Sequence, residues 1–140
     1  EWSHMLLTSN LRGLPELFSA VSDRLLQYAL QEGYDEAEGG AFSTAFPDGT
    51  VARNKYWWQQ AECVRALIAA ASIRNRADLW QRYERTLQMV QREFIDAENG
   101  GWQHGSRQLC DRDGCPDEQP DPYHMTGMHL AAMRVAAELR

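Results

Sequence analysis

The chain lacks any long apolar run: nowhere in its 140 residues do apolar side chains continue for the roughly 20 positions a membrane-spanning helix needs. It also lacks the basic-then-apolar opening of a secretory leader, so it reads as cytoplasmic. Positive charge is scarce, with 14 Lys and Arg against 20 Asp and Glu and a formal net charge of −6. The basic residues are scattered over helical stretches instead of forming the stripe that a phosphate backbone requires. Nucleic acid and membranes are therefore excluded as expected partners. Cysteine is sparse and odd in number: Cys63 sits in an Ala-rich run, and Cys110 and Cys115 lie five apart. No second cysteine pair completes a zinc site, so free thiols are expected, and nothing present calls for a metal or an organic cofactor.

What is there is helical and repetitive. A hydrophobic content of 44% with 24% charged residues suits one globular domain over residues 1–140. Leu17, Val21, Leu25 and Tyr28 recur at helical spacing after Pro15 and Glu16, which suit a first turn. Trp57, Ala61, Val64 and Ile68 mark another helix, as do Leu79, Tyr83, Leu87 and Val90, and then Met128, Ala131, Val135 and Leu139. The opening EWSHMLLTSN reads as the end of a further one.

Two stretches repeat. YDEAEGGAF starts at Tyr34 and IDAENGGWQ at Ile95, so Asp35 and Asp96 each precede a glycine pair, Gly39-Gly40 and Gly100-Gly101, by four residues. The copies are 96 − 35 = 61 residues apart. Each unit is helix, link, helix and a long loop with room for a β-hairpin, and the paired glycines mark a turn that needs positive φ. Such units bury their apolar faces only by stacking; six close into a toroid of on the order of 360 residues, of which about two and a half are present. The chain is thus expected to be the C-terminal two to three helix pairs of a larger all-α, (α/α)6-type barrel.

The unusual residues gather at the starts of the first helix of each unit. Glu1 and Trp2 open one, Trp57, Trp58 and Glu62 the next, and Tyr123 and His124 the last. Equivalent helix starts in a toroid converge on one mouth. Within KYWWQQAE (Lys55 to Glu62), Trp58 and Glu62 are four apart and share a face, whereas Trp57 lies with Ala61, Val64 and Ile68. One indole is then expected to pack and the other to line a cavity. In PDPYHM, Asp121 suits an N-cap and Pro122 the first helical position, which places His124 in the first turn. A histidine there is more often a cap than a catalyst, and paired tryptophans are more often core than a sugar platform. His4, His104 and His129 have no supporting motif.

These residues resemble the N-acylglucosamine 2-epimerase superfamily. KYWWQQAE is similar to its K-x-W-W-x-Q-A-E motif, PDPYH to its P-x-Y-H motif, and the opening Glu-Trp to the end of H-x-x-E-W; Gly100 to Trp102 also recurs there. The motifs occur in the family's order from Glu1 to His124. The resemblance implies an (α/α)6 barrel with a monosaccharide or disaccharide in its cleft, isomerised or epimerised at C2 through an enediol-type intermediate without a cofactor. It implies catalytic roles for His124 and Glu1, and substrate contacts from Trp57, Trp58, Gln60 and Glu62. The histidine preceding Glu1 in that motif would stand three residues before it, and the chain is expected to be a piece of a longer protein that leaves room for a homodimer. Glu-Trp with P-D-x-Y-H is closer to the mannose isomerase branch, and W-W-x-Q-A-E to the epimerases. Three residues after His124, where the family often has Arg or Gln, stands Gly127.

Two other readings accompany this one. Toroids of helix pairs also host glycoside hydrolases and polysaccharide lyases, for which Asp121 and Glu62 would be the carboxylate pair. A sugar-binding module without catalysis is the third.

Overall fold

A computed structural model describes residues 1–10, 12, 13, 15–106, 109, 110 and 120–138. Its elements run α1 (Trp2–Asn10), α2 (Leu17–Glu32), β1 (Thr44–Ala45), β2 (Val51–Ala52), α3 (Trp57–Arg74), α4 (Ala77–Glu93) and α5 (Pro122–Glu138). Leu139 and Cys115 lie outside the described residues.

The middle helix organises the rest: α3 packs on α1, on α4 and on α5, and α1 packs in turn on α2. It has little choice, because its Ala-rich sequence is buried almost all round, and a helix apolar on every side must be enclosed. Its upper half, with Trp57, Ala61 and Val64, joins Met89, Val90, Phe94 and Met128 in one cluster. Its lower half, with Leu67, Ala70 and Ala71, joins Leu7, Tyr34 and Leu79 in a second. The helix stops at Asn75, which takes the left-handed conformation (φ 51°) and returns its N–H to Ala71 and Ser72 carbonyls. Helices α1, α3 and α5 are the first helices of successive units, and their starts come together as the repeat requires.

The spacing argument holds for α4, where Leu79 and Val90 are buried, and for α5, where Met128 and Val135 are. It fails for α2. Leu17, Leu25 and Tyr28 are exposed, and the buried position is Ser22, flanked by Leu26 and Leu30. The reason is a polar tie: Ser22 Oγ donates to the Ser3 carbonyl at 2.5 Å, and a small residue there lets α2 lie close against α1. Three of the four residues of the stripe read from spacing therefore face outward, and Val21 is half-buried.

Both Gly-Gly turns form, with matching bonds. Asp35 N–H reaches the Gly40 carbonyl at 2.9 Å and Asp96 N–H the Gly101 carbonyl at 3.1 Å, while each Asp accepts two backbone N–H bonds on Oδ1. All four glycines have φ between 77° and 90°. Tyr34 pairs with Ala41 and Ile95 with Trp102 as isolated antiparallel bridges, again 61 apart. The first loop continues into the expected hairpin, β1 antiparallel to β2. One expectation is corrected: Cys63 is free as expected, but Cys110 is disulfide-bonded, and a thiol held in a disulfide is no longer a free one.

Candidate functional site

The site starts where α3 starts. Tyr56 is extended (φ −117°, ψ 151°) and bridged to Gly105, and the Trp57 N–H donates to the His104 carbonyl at 3.0 Å. From that anchor the helix turns Trp57 inward and Trp58 outward, at 5% and 40% exposure. One turn on, on the Trp58 side, Glu62 is only 3% exposed. Helix α5 begins as its sequence suggests: Asp121 Oδ1 accepts the Tyr123 N–H at 2.8 Å, and His124 falls in the first turn.

His124 and Glu62 meet. The Nδ1 atom lies 2.8 Å from Oε1, between side chains 18% and 3% exposed. A carboxylate only accepts, so Nδ1 carries the proton and the lone pair of the neutral ring is on Nε2. Three aromatic rings fence the imidazole: Trp57 edge-on at 5.6 Å, Trp58 tilted at 5.8 Å and Tyr123 edge-on at 4.9 Å. The arrangement can hold one imidazole in a fixed tautomer beside a partly open indole face, which suits proton transfer on an uncharged polyol.

Behind Glu62 stand two residues that sequence reasoning left without a role. His4, from the first turns of α1, is 3% exposed with Nδ1 3.6 Å from Glu62 Oε2. Burial and then the charge of Arg65 push its imidazole down to about 4, against the upward pull of Glu62. Arg65 Nη1 lies 3.4 Å from Glu62 Oε1, one turn along α3. The space for that guanidinium comes from Gly127, where a Cβ would lie 2.8 Å from Nη1 and 3.1 Å from Cζ. The position where the motif often has a long side chain is thus filled by Arg65 from the neighbouring helix. From His4 and Arg65 a groove of about 570 Å³ runs between α1, α3 and α5, along Thr8, Ala69 and Leu130 to Val135.

Not every expected residue reaches this cluster. Gln60 is fully buried, and its amide exchanges two 2.8 Å hydrogen bonds with the backbone of Ala41, tying the first Gly-Gly loop to α3. Trp57 touches His124 by its edge but is otherwise core. Glu1 is exposed, and its carboxylate makes no hydrogen bond or ion pair among the described residues. The acidic partner of His124 is Glu62, and α1 contributes His4 instead, because the residue one turn further into the helix is the one directed at α3. Arg65 could have been found from its i, i+3 spacing to Glu62. His4 carried no such signal, since its neighbour is on another helix.

The family model for N-acylglucosamine 2-epimerase (GlcNAc 2-epimerase) matches residues 1–128. Among solved structures, a D-mannose isomerase superposes with a TM-score of 0.82 at 22% identity, covering 95% of this chain and 35% of that one. A cellobiose 2-epimerase from Spirochaeta thermophila gives 0.67 at 17% identity, with 99% and 38% covered. Another cellobiose 2-epimerase, from Bacillus thermoamylovorans, gives 0.71 at 16% identity, with 97% and 37% covered. The chain therefore spans little more than a third of the length of these structures, and its helices form part of an (α/α)6 barrel. A comparison with curated protein sequences yields no significant match.

Proposed function

The chain belongs to the N-acylglucosamine 2-epimerase family, and from that premise we propose that it forms the part of a sugar isomerase or 2-epimerase that carries a proton at C2. Opening of the sugar ring exposes the aldehyde and makes the C2 proton removable. Nε2 of His124 takes that proton, and the C2–H electron pair moves toward C1 to give an enediol-type intermediate. Return of the proton to C1, as the O2 hydroxyl proton passes to O1 and the C2 carbonyl forms, yields a ketose; return to C2 on the opposite face, which needs a second donor, re-forms the C1 aldehyde and yields the epimer. Glu62 holds Nδ1–H and stabilises the imidazolium as it forms, as a carboxylate does behind a catalytic histidine. Trp58 offers its face to the apolar side of the sugar, and Tyr123 borders the same opening. The supporting observation is the 2.8 Å contact of His124 with a buried Glu62 beside a half-open indole.

The test is exchange in heavy water. The intact protein incubated with mannose or N-acetylmannosamine is expected to place deuterium at C2 and to form product, and His124→Ala to slow exchange by about 10²- to 10⁴-fold. Absence of exchange into either sugar and into common disaccharides overturns the reading. Release of reducing ends from an oligosaccharide, without isomerisation, would replace it with hydrolysis.

A further inference from the structure

Glu62 is buried and its two oxygens are treated unequally. Oε1 receives His124 at 2.8 Å and Arg65 at 3.4 Å. Oε2 has no hydrogen-bond partner among the described residues, and neither ring nitrogen of His4 has one. Leaving a buried carboxylate oxygen and a buried imidazole both unsatisfied is costly, and native structures rarely do so. The two lie 3.6 Å apart, so a shift of a few tenths of an ångström joins them. We propose that His4 is a positioning residue for the proton-transfer pair: as the Nδ1–H tautomer it donates to Oε2 of Glu62 and so holds the carboxylate in the orientation that fixes His124.

The surroundings favour a neutral ring. His4 faces Glu62 and Arg65 from α3, and burial together with the neighbouring guanidinium disfavours a further positive charge. A neutral donor leaves Glu62 as an anion shared by two imidazoles and one guanidinium. It also leaves His4 Nε2 as an acceptor at the head of the groove between α1, α3 and α5. With both oxygens held, the carboxylate cannot swing away from His124 during turnover, and the Nε2 lone pair of His124 keeps its direction.

This inference rests on the proton-transfer reading, but its first readout does not need activity. In the full chain labelled with ¹⁵N-histidine, long-range ¹H–¹⁵N spectra at pH 7 are expected to show His4 as a neutral Nδ1–H ring. A pyridine-type Nδ1, or an imidazolium, overturns the proposal. The second readout is His4→Leu, which is expected to broaden or shift the Nδ1 and Nε2 resonances of His124 and to lower kcat for C2 exchange about tenfold, the worth of one charge-assisted hydrogen bond, with KM nearly unchanged. His4→Asn, whose amide N–H can take the Nδ1 position, is expected to restore both, and His4→Gln not. A His124 spectrum unaltered in His4→Leu, or equal behaviour of Asn and Gln, also overturns it. If the unsubstituted protein exchanges no sugar while the spectra are as expected, it is the activity that fails and not the positioning.

Discussion

The two Gly-Gly turns are the same structure in two different settings. Their backbone bonds superimpose at an offset of 61 residues and their glycines share the same sign of φ. The first is pressed against its neighbours: a Cβ on Gly39 would lie 2.8 Å from the Arg85 carbonyl oxygen, and one on Gly40 would overlap Met89 Cε and come 2.5 Å from Gln60 Oε1. The second has nothing within 4 Å of either position among the described residues. Glycine is thus required at Gly100 and Gly101 by conformation alone, and at Gly39 and Gly40 by conformation and space together. The surrounding polar groups differ in the same sense. Asp35 is joined by the nearly buried Lys55, whose Nζ donates to its Oδ2 at 2.8 Å and to the Gly39 carbonyl at 2.7 Å. Asp96 Oδ2 is met by the exposed Asn99 amide at 3.1 Å.

The largest expected effect follows from the crowding. Gly39→Ala and Gly40→Ala should each lower unfolding free energy by about 3 kcal/mol, because left-handed strain adds to overlap with α4 or with a pinned amide. Gly100→Ala and Gly101→Ala should cost about 1 kcal/mol each, the strain alone. Urea unfolding followed by circular dichroism measures all four, and equal losses at the two turns would erase the distinction. Next in size is Lys55→Met, expected to cost about 2 kcal/mol by leaving Asp35 and the Gly39 carbonyl without their cation. Asn99→Ala at the second turn should change stability by less than about 0.5 kcal/mol. The smallest effect is on pH dependence. Burial pushes the Asp35 carboxyl up, but the bonds from Lys55 and from the Glu38 and Ala37 amides outweigh it and hold the carboxyl below its usual range. A depressed folded-state value means that this contribution is full above the ordinary carboxylate value of roughly 3.9 and fades as pH falls below it. Acid titration of stability should therefore be shallower in Asp35→Asn than in the unsubstituted protein. An identical slope would show that the ion pair adds nothing.

Much of the fold was legible because its signals are local. The N-cap at Asp121, the inward Trp57 and outward Trp58, and the paired glycines at positive φ each depend on residues within a turn or two, and each appears where spacing placed it. Helix α2 shows the limit: its apolar stripe lost to a serine, since the face that packs was chosen by how closely α1 can approach. The site was legible in the same partial way. Glu62 and His124 stood out by motif, yet nothing in either segment told that they would touch each other across 62 positions. Gln60, an apparent sugar contact, instead spends its amide on Ala41, and Glu1 points to solvent while His4 turns in.

By itself the sequence determined the helices, their repeat, the turns between them and which ends would carry polar chemistry, because periodicity, capping and backbone sterics act over a few neighbouring residues. Only the tertiary structure decided which carboxylate meets His124, that Arg65 fills the space over Gly127, and that His4 stands behind Glu62. Those choices are set by the approach and rotation of α1, α3 and α5 against one another, and distances of a few ångströms between helices leave no trace in the order of residues along any one of them.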